Sequence, residues 1–247
     1  MRTRIMIAAL LAVLASVSQA AAAGGFSDWA AIVVAADYRA HSGADSEVFD
    51  NARRDIAAEL VRIGFAPANV LQFSVRPERY PADQPRHSDA QTIATSLWDL
   101  SNRTTGGCLA YFTSHGNTDG VMLGDEVLSP RKMNQIMSNA CGDRPTIVVV
   151  SACFSGVFVP ELAGPNRIIM TAARPDRTSF GCGEMFRYTF FDDCMVQSLP
   201  AAGDFPDLGK NVSACVAAKE KAQKLQWSSE PQVSIGAQVA SSLPHWK

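Results

Sequence analysis

The chain has 247 residues and a formal net charge of −2 at pH 7, and 47% of it is hydrophobic. This length suits one α/β domain with a substantial core. The slightly acidic balance argues against nucleic acid or an anionic membrane as the main partner. We therefore expect one domain over residues 21–247, preceded by a removable leader.

The first 20 residues have the layout of a secretory signal peptide. Two arginines form a basic start, the stretch 5–17 is almost entirely apolar, and small residues precede the expected cleavage point. The apolar stretch is shorter than a membrane span. We expect cleavage after Ala20, with Ala23 as the second choice, and an exported protein that is periplasmic or secreted. A retained membrane anchor is the alternative.

Beyond the leader, apolar runs alternate with amphipathic stretches in the manner of βαβ units. This pattern predicts an α/β fold with a mostly parallel sheet and helices on both faces. The predicted strands are 30–36, 70–75, 108–113, 146–150, 167–171 and 232–235. The predicted helices are 46–63, 91–100, 130–139, 184–199 and 211–226. A small hairpin is predicted around 121–127, and three prolines predict a surface loop at 76–87.

Two of the predicted strands end in reactive residues. One is followed by Ser-His-Gly at 114–116, and the other leads into Ala-Cys-Phe-Ser-Gly at 152–156. Functional residues gather at the carboxyl edge of parallel sheets, because the loops converge there. If the two strands are neighbours, His115 and Cys153 face one another across that edge. Each residue alone is more often structural, but the pair favours a nucleophile with its base.

These two blocks resemble the signature blocks of the legumain (asparaginyl endopeptidase) family, in the caspase-like clan of cysteine peptidases. Thr-Ala-Ala-Arg-Pro at 171–175 and Ser-Phe-Gly-Cys at 179–182 are similar to the family's block after the nucleophile strand. Asp-Tyr-Arg-Ala-His at 37–41 resembles the family's Asn-Tyr-Arg-His with one residue inserted. The resemblance covers about residues 30–195. It implies a caspase-like three-layer α/β/α sandwich of about six strands, which hydrolyses peptide bonds in protein or peptide substrates.

The resemblance also implies a role for each catalytic residue. Cys153 attacks the peptide carbonyl and forms a thioester, His115 is the general base and acid, and the N–H groups of Gly116 and Cys153 stabilise the oxyanion. A side chain at Gly116 would obstruct the approach of the backbone to substrate. Asp37 matches the family's Asn and is a candidate for orienting His115, although capping of a strand-end turn explains it equally well. A transamidase and a silent peptide-binding pseudo-enzyme are the alternative functions.

Specificity is the least determined part of the site. Family members that cleave after Asn use an Arg, a Ser and two acids, for which Arg39, Ser179 and Glu184 are candidates here. The position of the near acid is Ser151, which loses a carboxylate from the substrate pocket and shifts selectivity. Cleavage after Asn is one expectation. Cleavage after Asp, with Arg39 or His41 as the cation, is the other, and Arg39 as a plain surface charge stays open.

The cysteines predict two disulfides and a spare thiol. If Cys153 is catalytic, five of the six cysteines remain. Cys108 opens the strand that leads to the histidine, and Cys141 precedes the strand that leads to the nucleophile, so both lie at the opposite edge. The predicted pairs are therefore Cys108–Cys141 and Cys194–Cys215, which leaves Cys182. A merely buried Cys108 is the alternative. No metal or cofactor motif occurs, so neither is expected.

Overall fold

The computed structural model describes residues 25–246. The predicted leader at 1–20 lies outside the described residues and stays a prediction. Across the described range, no helix is long and apolar enough to cross a membrane.

The strands of the described chain are β1 (Ala30–Ala35), β2 (Val70–Ser74), β3 (Arg86–His87), β4 (Cys108–Thr113), β5 (Gly116–Asn117), β6 (Gly120–Leu123), β7 (Glu126–Leu128), β8 (Thr146–Ser151), β9 (Arg167–Thr171) and β10 (Gln232–Ile235). The α-helices are α1 (Val48–Arg62), α2 (Ala90–Asn102), α3 (Pro130–Cys141), α4 (Val159–Leu162), α5 (Phe190–Ser198) and α6 (Phe205–Ala222).

The central sheet has seven strands in the order β10-β9-β8-β4-β1-β2-β3. Every neighbouring pair is parallel except β9 and β10, which run antiparallel. A smaller antiparallel sheet of β5, β6 and β7 contains the predicted hairpin and one further short strand. The prediction of a mostly parallel sheet is confirmed.

The central sheet is buried on both faces. β1, β4 and β8 are buried at every position. Leu109 and Tyr111 of β4 pack into one hydrophobic cluster with α1, α5 and α6, whereas Ala110 and Phe112 pack into another with α2 and α3. Successive side chains of a strand point to opposite faces, so one strand serves both clusters. This produces the three layers and explains why the strands read as continuous apolar runs.

The predicted loop at 76–87 contains more structure than its prolines indicated. A 3₁₀ turn spans Pro77–Arg79, and β3 pairs with Phe73 and Ser74 of β2 at the end of the sheet. The prediction of a loop without any element was therefore wrong at residues 86–87. Two residues that join a sheet edge carry no local period, so only the pairing reveals them.

Two helices begin elsewhere than predicted. The helix predicted from 184 starts at Phe190, because the side chain of Thr189 accepts a hydrogen bond from the N–H of Asp192 and caps it. The helix predicted from 211 starts at Phe205, where Asp204 caps the first turn. Both capping residues are followed three positions later by an acid, a sequence signature of a helix start that the apolar period alone misses.

Candidate active site

His115 and Cys153 lie at the same edge of the sheet. β4 and β8 are parallel neighbours with Thr113 opposite Ser151, so the two residues follow adjacent strand ends. Both line one cavity of about 480 Å³, together with Gly116. The expected juxtaposition is therefore found.

Cys153 is a free, half-buried thiol held against the segment around Ser179. Its Sγ accepts a hydrogen bond from the backbone N–H of Ser179 at 3.3 Å and lies 3.6 Å from the Ser179 hydroxyl. The sulfur also lies 3.5 Å from the carbonyl oxygen of Ser179. Both backbone groups of Ser179 therefore face the thiol and fix its position at the edge of the cavity.

His115 is oriented by a backbone carbonyl. Its Nε2 lies 2.8 Å from the carbonyl oxygen of Arg39, and its ring packs edge-on against Phe49 with centroids 5.2 Å apart. A carbonyl oxygen can only accept, so Nε2 carries the proton of the neutral ring. This leaves Nδ1 as the nitrogen that can take a proton from another group.

The Asp37 carboxylate caps its own turn, which is the second of the two roles expected for it. Its Oδ1 accepts hydrogen bonds from the backbone N–H groups of Tyr38 at 2.7 Å and Arg39 at 3.1 Å. It also pairs with the Arg39 guanidinium at 3.0 Å, and Asp37 is only 3% exposed. Asp37 thus fixes the turn whose carbonyl orients His115, so it acts on the imidazole through Arg39.

The loop after Cys153 is fixed by close backbone contacts. A Cβ added at Gly116 would lie 2.4 Å from the carbonyl oxygen of Cys153. The glycine is therefore required by the nucleophile loop itself, not only by an approaching substrate. A Cβ at Gly156 would lie 2.5 Å from Pro175, and the Ser155 hydroxyl accepts a hydrogen bond from the N–H of Ala173 at 3.1 Å. The Ser-Gly pair anchors this loop to the segment after β9.

Phe154 directly follows the thiol in a left-handed conformation. Its φ is 57°, which is unusual for an aromatic residue. The N–H of Phe154 donates to the carbonyl of Arg177 at 2.7 Å, which holds the turn in place. Such backbone strain persists only where the surroundings enforce it, and it gathers at functional sites.

Two of the five predicted substrate-binding residues, His41 and Ser179, line the cavity. Arg39 does not line it, because its guanidinium is engaged elsewhere. It pairs with Asp37 and with Asp125 at 3.3 Å and donates to the carbonyl of Gly124. The hydrogen bond with Asp37 is the main cause that raises the pKa of Arg39. The guanidinium of Arg39 is therefore already paired within the protein, and its part in substrate recognition stays a prediction.

Ser151 and Glu184 also lie outside the cavity lining. Ser151 is buried, and its hydroxyl lies 3.3 Å from that of Thr189. Glu184 is exposed, and the hydroxyl of Ser42 donates to its carboxylate and lowers its pKa. Ser151, which occupies the position of the family's near acid, is therefore buried and does not line the cavity. Glu184 lies on the surface.

Asp192 is an acid beneath the site that sequence reasoning missed. Its carboxylate is fully buried and accepts hydrogen bonds from the Tyr111 hydroxyl and the Thr113 hydroxyl, both at 2.6 Å. Burial raises the pKa of Asp192, although these donors act in the opposite direction. Thr113 lies two residues before His115, so Asp192 ties the start of α5 to one catalytic strand end. The helix-start signature at Thr189 would have located it.

Comparisons with known proteins agree with this geometry. The peptidase C13 family model, that of the legumain family, matches residues 88–214. The crystal structure of caspase-1 from Spodoptera frugiperda matches with a TM-score of 0.62 and 15% identity, over 86% of this chain and 88% of that chain. At this identity the likeness shows the fold alone, which is caspase-like as expected. No curated protein matches the sequence.

Proposed function

The chain belongs to the peptidase C13 family and is a cysteine endopeptidase, and from this premise we propose that Cys153 is its nucleophile and His115 its general base and acid. The observation that carries the proposal is the shared cavity. A free thiol and an imidazole follow adjacent parallel strand ends and line the same space. Nucleophile and base need this proximity in order to act as a unit.

The proposed reaction is acyl transfer through a thioester. His115 takes the thiol proton at Nδ1, since Nε2 donates to the Arg39 carbonyl. The sulfur of Cys153 attacks the peptide carbonyl carbon, the C–N bond breaks, and His115 returns the proton to the leaving amine. Water then hydrolyses the thioester with the same imidazole as base. The N–H groups of Gly116 and Cys153 are the proposed donors to the oxyanion.

We propose Asn or Asp as the residue before the cleaved bond. Among the predicted specificity residues, His41 and Ser179 lie in the cavity wall and offer hydrogen-bond donors to an amide or a carboxylate. Arg39 is already paired with two carboxylates, so it offers less to an acidic substrate.

We further propose that the protein is exported, to the periplasm or beyond the cell. Two disulfides within the described residues suit an oxidising compartment. The substrates are then proteins or peptides met after export. Sequencing the amino terminus of the mature protein tests this, since we expect it to begin after Ala20 or Ala23.

A proteome-derived peptide library tests the activity. The purified protein should cleave a defined subset, and the cleaved bonds should share Asn or Asp on their amino side. Cys153→Ala should abolish cleavage, whereas Cys182→Ala removes the other free thiol as a matched comparison. Retained cleavage by Cys153→Ala would overturn the assignment of the nucleophile.

Two additions separate the alternative functions. With an added amine acceptor, a transamidase would transfer the acyl group to the amine, whereas a hydrolase gives mainly the free acid. An electrophilic peptide should label Cys153. A protein that binds peptides but leaves Cys153 unlabelled would be a pseudo-enzyme.

A further inference from the structure

The cavity contains a second thiol for which the proposed reaction has no use. The disulfides Cys108–Cys141 and Cys194–Cys215 account for four of the six cysteines, and Cys153 and Cys182 are free. Both free residues line the catalytic cavity and both are half-buried. The cavity that contains the proposed nucleophile is therefore lined by two free thiols.

The wall that carries Cys182 has a fixed shape. It begins at Ser179, whose N–H donates to the sulfur of Cys153, and the carbonyl of Cys182 accepts from the N–H of His41 at 3.2 Å. Between them, Gly181 has a φ of 92°, and a Cβ there would lie 2.8 Å from Phe190. The turn therefore requires glycine, and it holds Cys182 three residues beyond the contact with the nucleophile.

Cys182 also adjoins the support of the catalytic base. It packs against the small hydrophobic cluster that contains Phe49, and the ring of Phe49 contacts His115. Burial raises the pKa of the Cys182 thiol most, and the charge of Cys153 raises it further. In the resting enzyme Cys182 is thus kept as a neutral thiol within electrostatic reach of the nucleophile.

We propose that Cys182 is a resolving thiol, which captures Cys153 as a disulfide when a peroxide oxidises the nucleophile. This assignment rests on the proposed function insofar as Cys153 must be the reactive thiolate of the cavity. The disulfide is an inactive form that a dithiol reductant returns to the active one, and it keeps the nucleophile from irreversible oxidation.

The chemistry balances with hydrogen peroxide as the oxidant. The Cys153 thiolate attacks one peroxide oxygen, the O–O bond breaks, and Cys153 becomes a sulfenic acid with release of hydroxide. The sulfenic acid is neutral, so the charge that disfavoured ionisation of Cys182 is gone. Cys182 then attacks the sulfenic sulfur, the S–S bond forms, the S–O bond breaks, and the departing hydroxide takes up the Cys182 proton as water.

Peroxide treatment followed by peptide mapping and reduction tests the proposal. The wild-type protein, Cys182→Ser and Cys182→Ala are each treated with a small excess of hydrogen peroxide, and remaining thiols are alkylated before digestion. In the wild type we expect a peptide pair linked through Cys153 and Cys182, two hydrogens lighter than the reduced pair. In both variants we expect Cys153 as sulfinic or sulfonic acid. After dithiothreitol, the wild type should recover most of its own untreated activity, and the variants several-fold less.

Cys153→Ala is the control for this experiment, and two results would overturn the proposal. In Cys153→Ala, Cys182 should stay reduced under the same treatment, because it is held as a neutral thiol. Absence of the linked peptide in the wild type, or equal recovery in wild type and variants, would overturn the proposal. A linked peptide in a protein that cleaves nothing in the library would support the thiol chemistry and reject the proposed peptidase activity.

Discussion

The two ends of β4 and β8 differ in how their polar groups are satisfied. At the amino edge, the disulfide Cys108–Cys141 ties β4 to α3. Beside it, the guanidinium of Arg144 donates to four backbone carbonyls, those of Ala140, Cys141, Ser101 and Thr104. At the carboxyl edge, a thiol and an imidazole face an open cavity. The polar groups at the amino edge stabilise the fold, whereas the thiol and the imidazole at the carboxyl edge are available to a substrate.

The same contrast holds for the glycines at the two edges. Gly107 is pressed against Pro145 and Trp29 at the amino edge, whereas Gly116 is pressed against the nucleophile loop at the carboxyl edge. Both are required by close packing, but only the second determines where a reactive group lies. The comparison predicts that changes at the carboxyl edge alter kcat/KM and that changes at the amino edge alter stability.

After the loss of Cys153 itself, removal of the His115 imidazole should have the largest effect on kcat/KM. We expect His115→Ala to lower kcat/KM by about 10²- to 10⁴-fold, the usual contribution of a general acid–base. The thermal midpoint should change little, because the ring is only half-buried. His87→Ala is the matched control, since His87 is exposed on β3. Near wild-type kcat/KM for His115→Ala would remove His115 from the mechanism.

The disulfide at the amino edge should affect stability alone. It closes a loop with a sequence separation of 33, so replacing Cys108 and Cys141 together by alanine should lower the free energy of unfolding by about 2–4 kcal/mol. Urea titration measures this change. Below the unfolding transition, kcat/KM should stay within about twofold of wild type, since the bond lies at the edge away from the cavity. A large drop in kcat/KM of fully folded protein would contradict the division between the edges.

A single methyl group added at Gly116, on the carboxyl edge, should change both kcat/KM and the free energy of unfolding. In Gly116→Ala the new Cβ would lie 2.4 Å from the Cys153 carbonyl oxygen, so the nucleophile loop must move. A displacement of this kind costs up to about 10²-fold in kcat/KM. Gly164→Ala is the control, because its nearest neighbour would be at an ordinary 3.5 Å. Equal kinetics for the two variants would show that the loop position does not matter.

The smallest effect is expected at Asp37. Asp37→Asn keeps an oxygen that accepts from the N–H groups of Tyr38 and Arg39 but loses the ion pair with the Arg39 guanidinium. A partly exposed ion pair contributes about 1 kcal/mol or less, so kcat/KM should fall by less than about tenfold. Asp37→Ala should cost more, because the turn that carries the Arg39 carbonyl loses its acceptor. If Asp37→Asn lowered kcat/KM as much as Asp37→Ala, the negative charge of the Asp37 carboxylate would itself be required.

Local patterns determined much of this protein. Apolar runs placed the strands on either side of the site to within a residue, and Ser129 with Pro130 marked the start of α3. The pair Cys108–Cys141 was predicted from the strand order and the pair Cys194–Cys215 from two successive helical segments, and both are confirmed. These features are encoded by hydrophobic periodicity and chain order, which short windows of sequence contain.

Tertiary structure alone decided the partners of the polar side chains. The family resemblance left open whether Asp37 orients His115 or caps a turn. In the folded chain Asp37 caps the turn and pairs with Arg39, and a backbone carbonyl lies against the imidazole. Asp192 lies beneath a strand end far from it in sequence. Hydrogen-bond geometry depends on distances of tenths of an ångström between segments that meet only after packing, so residue type and spacing leave it undetermined.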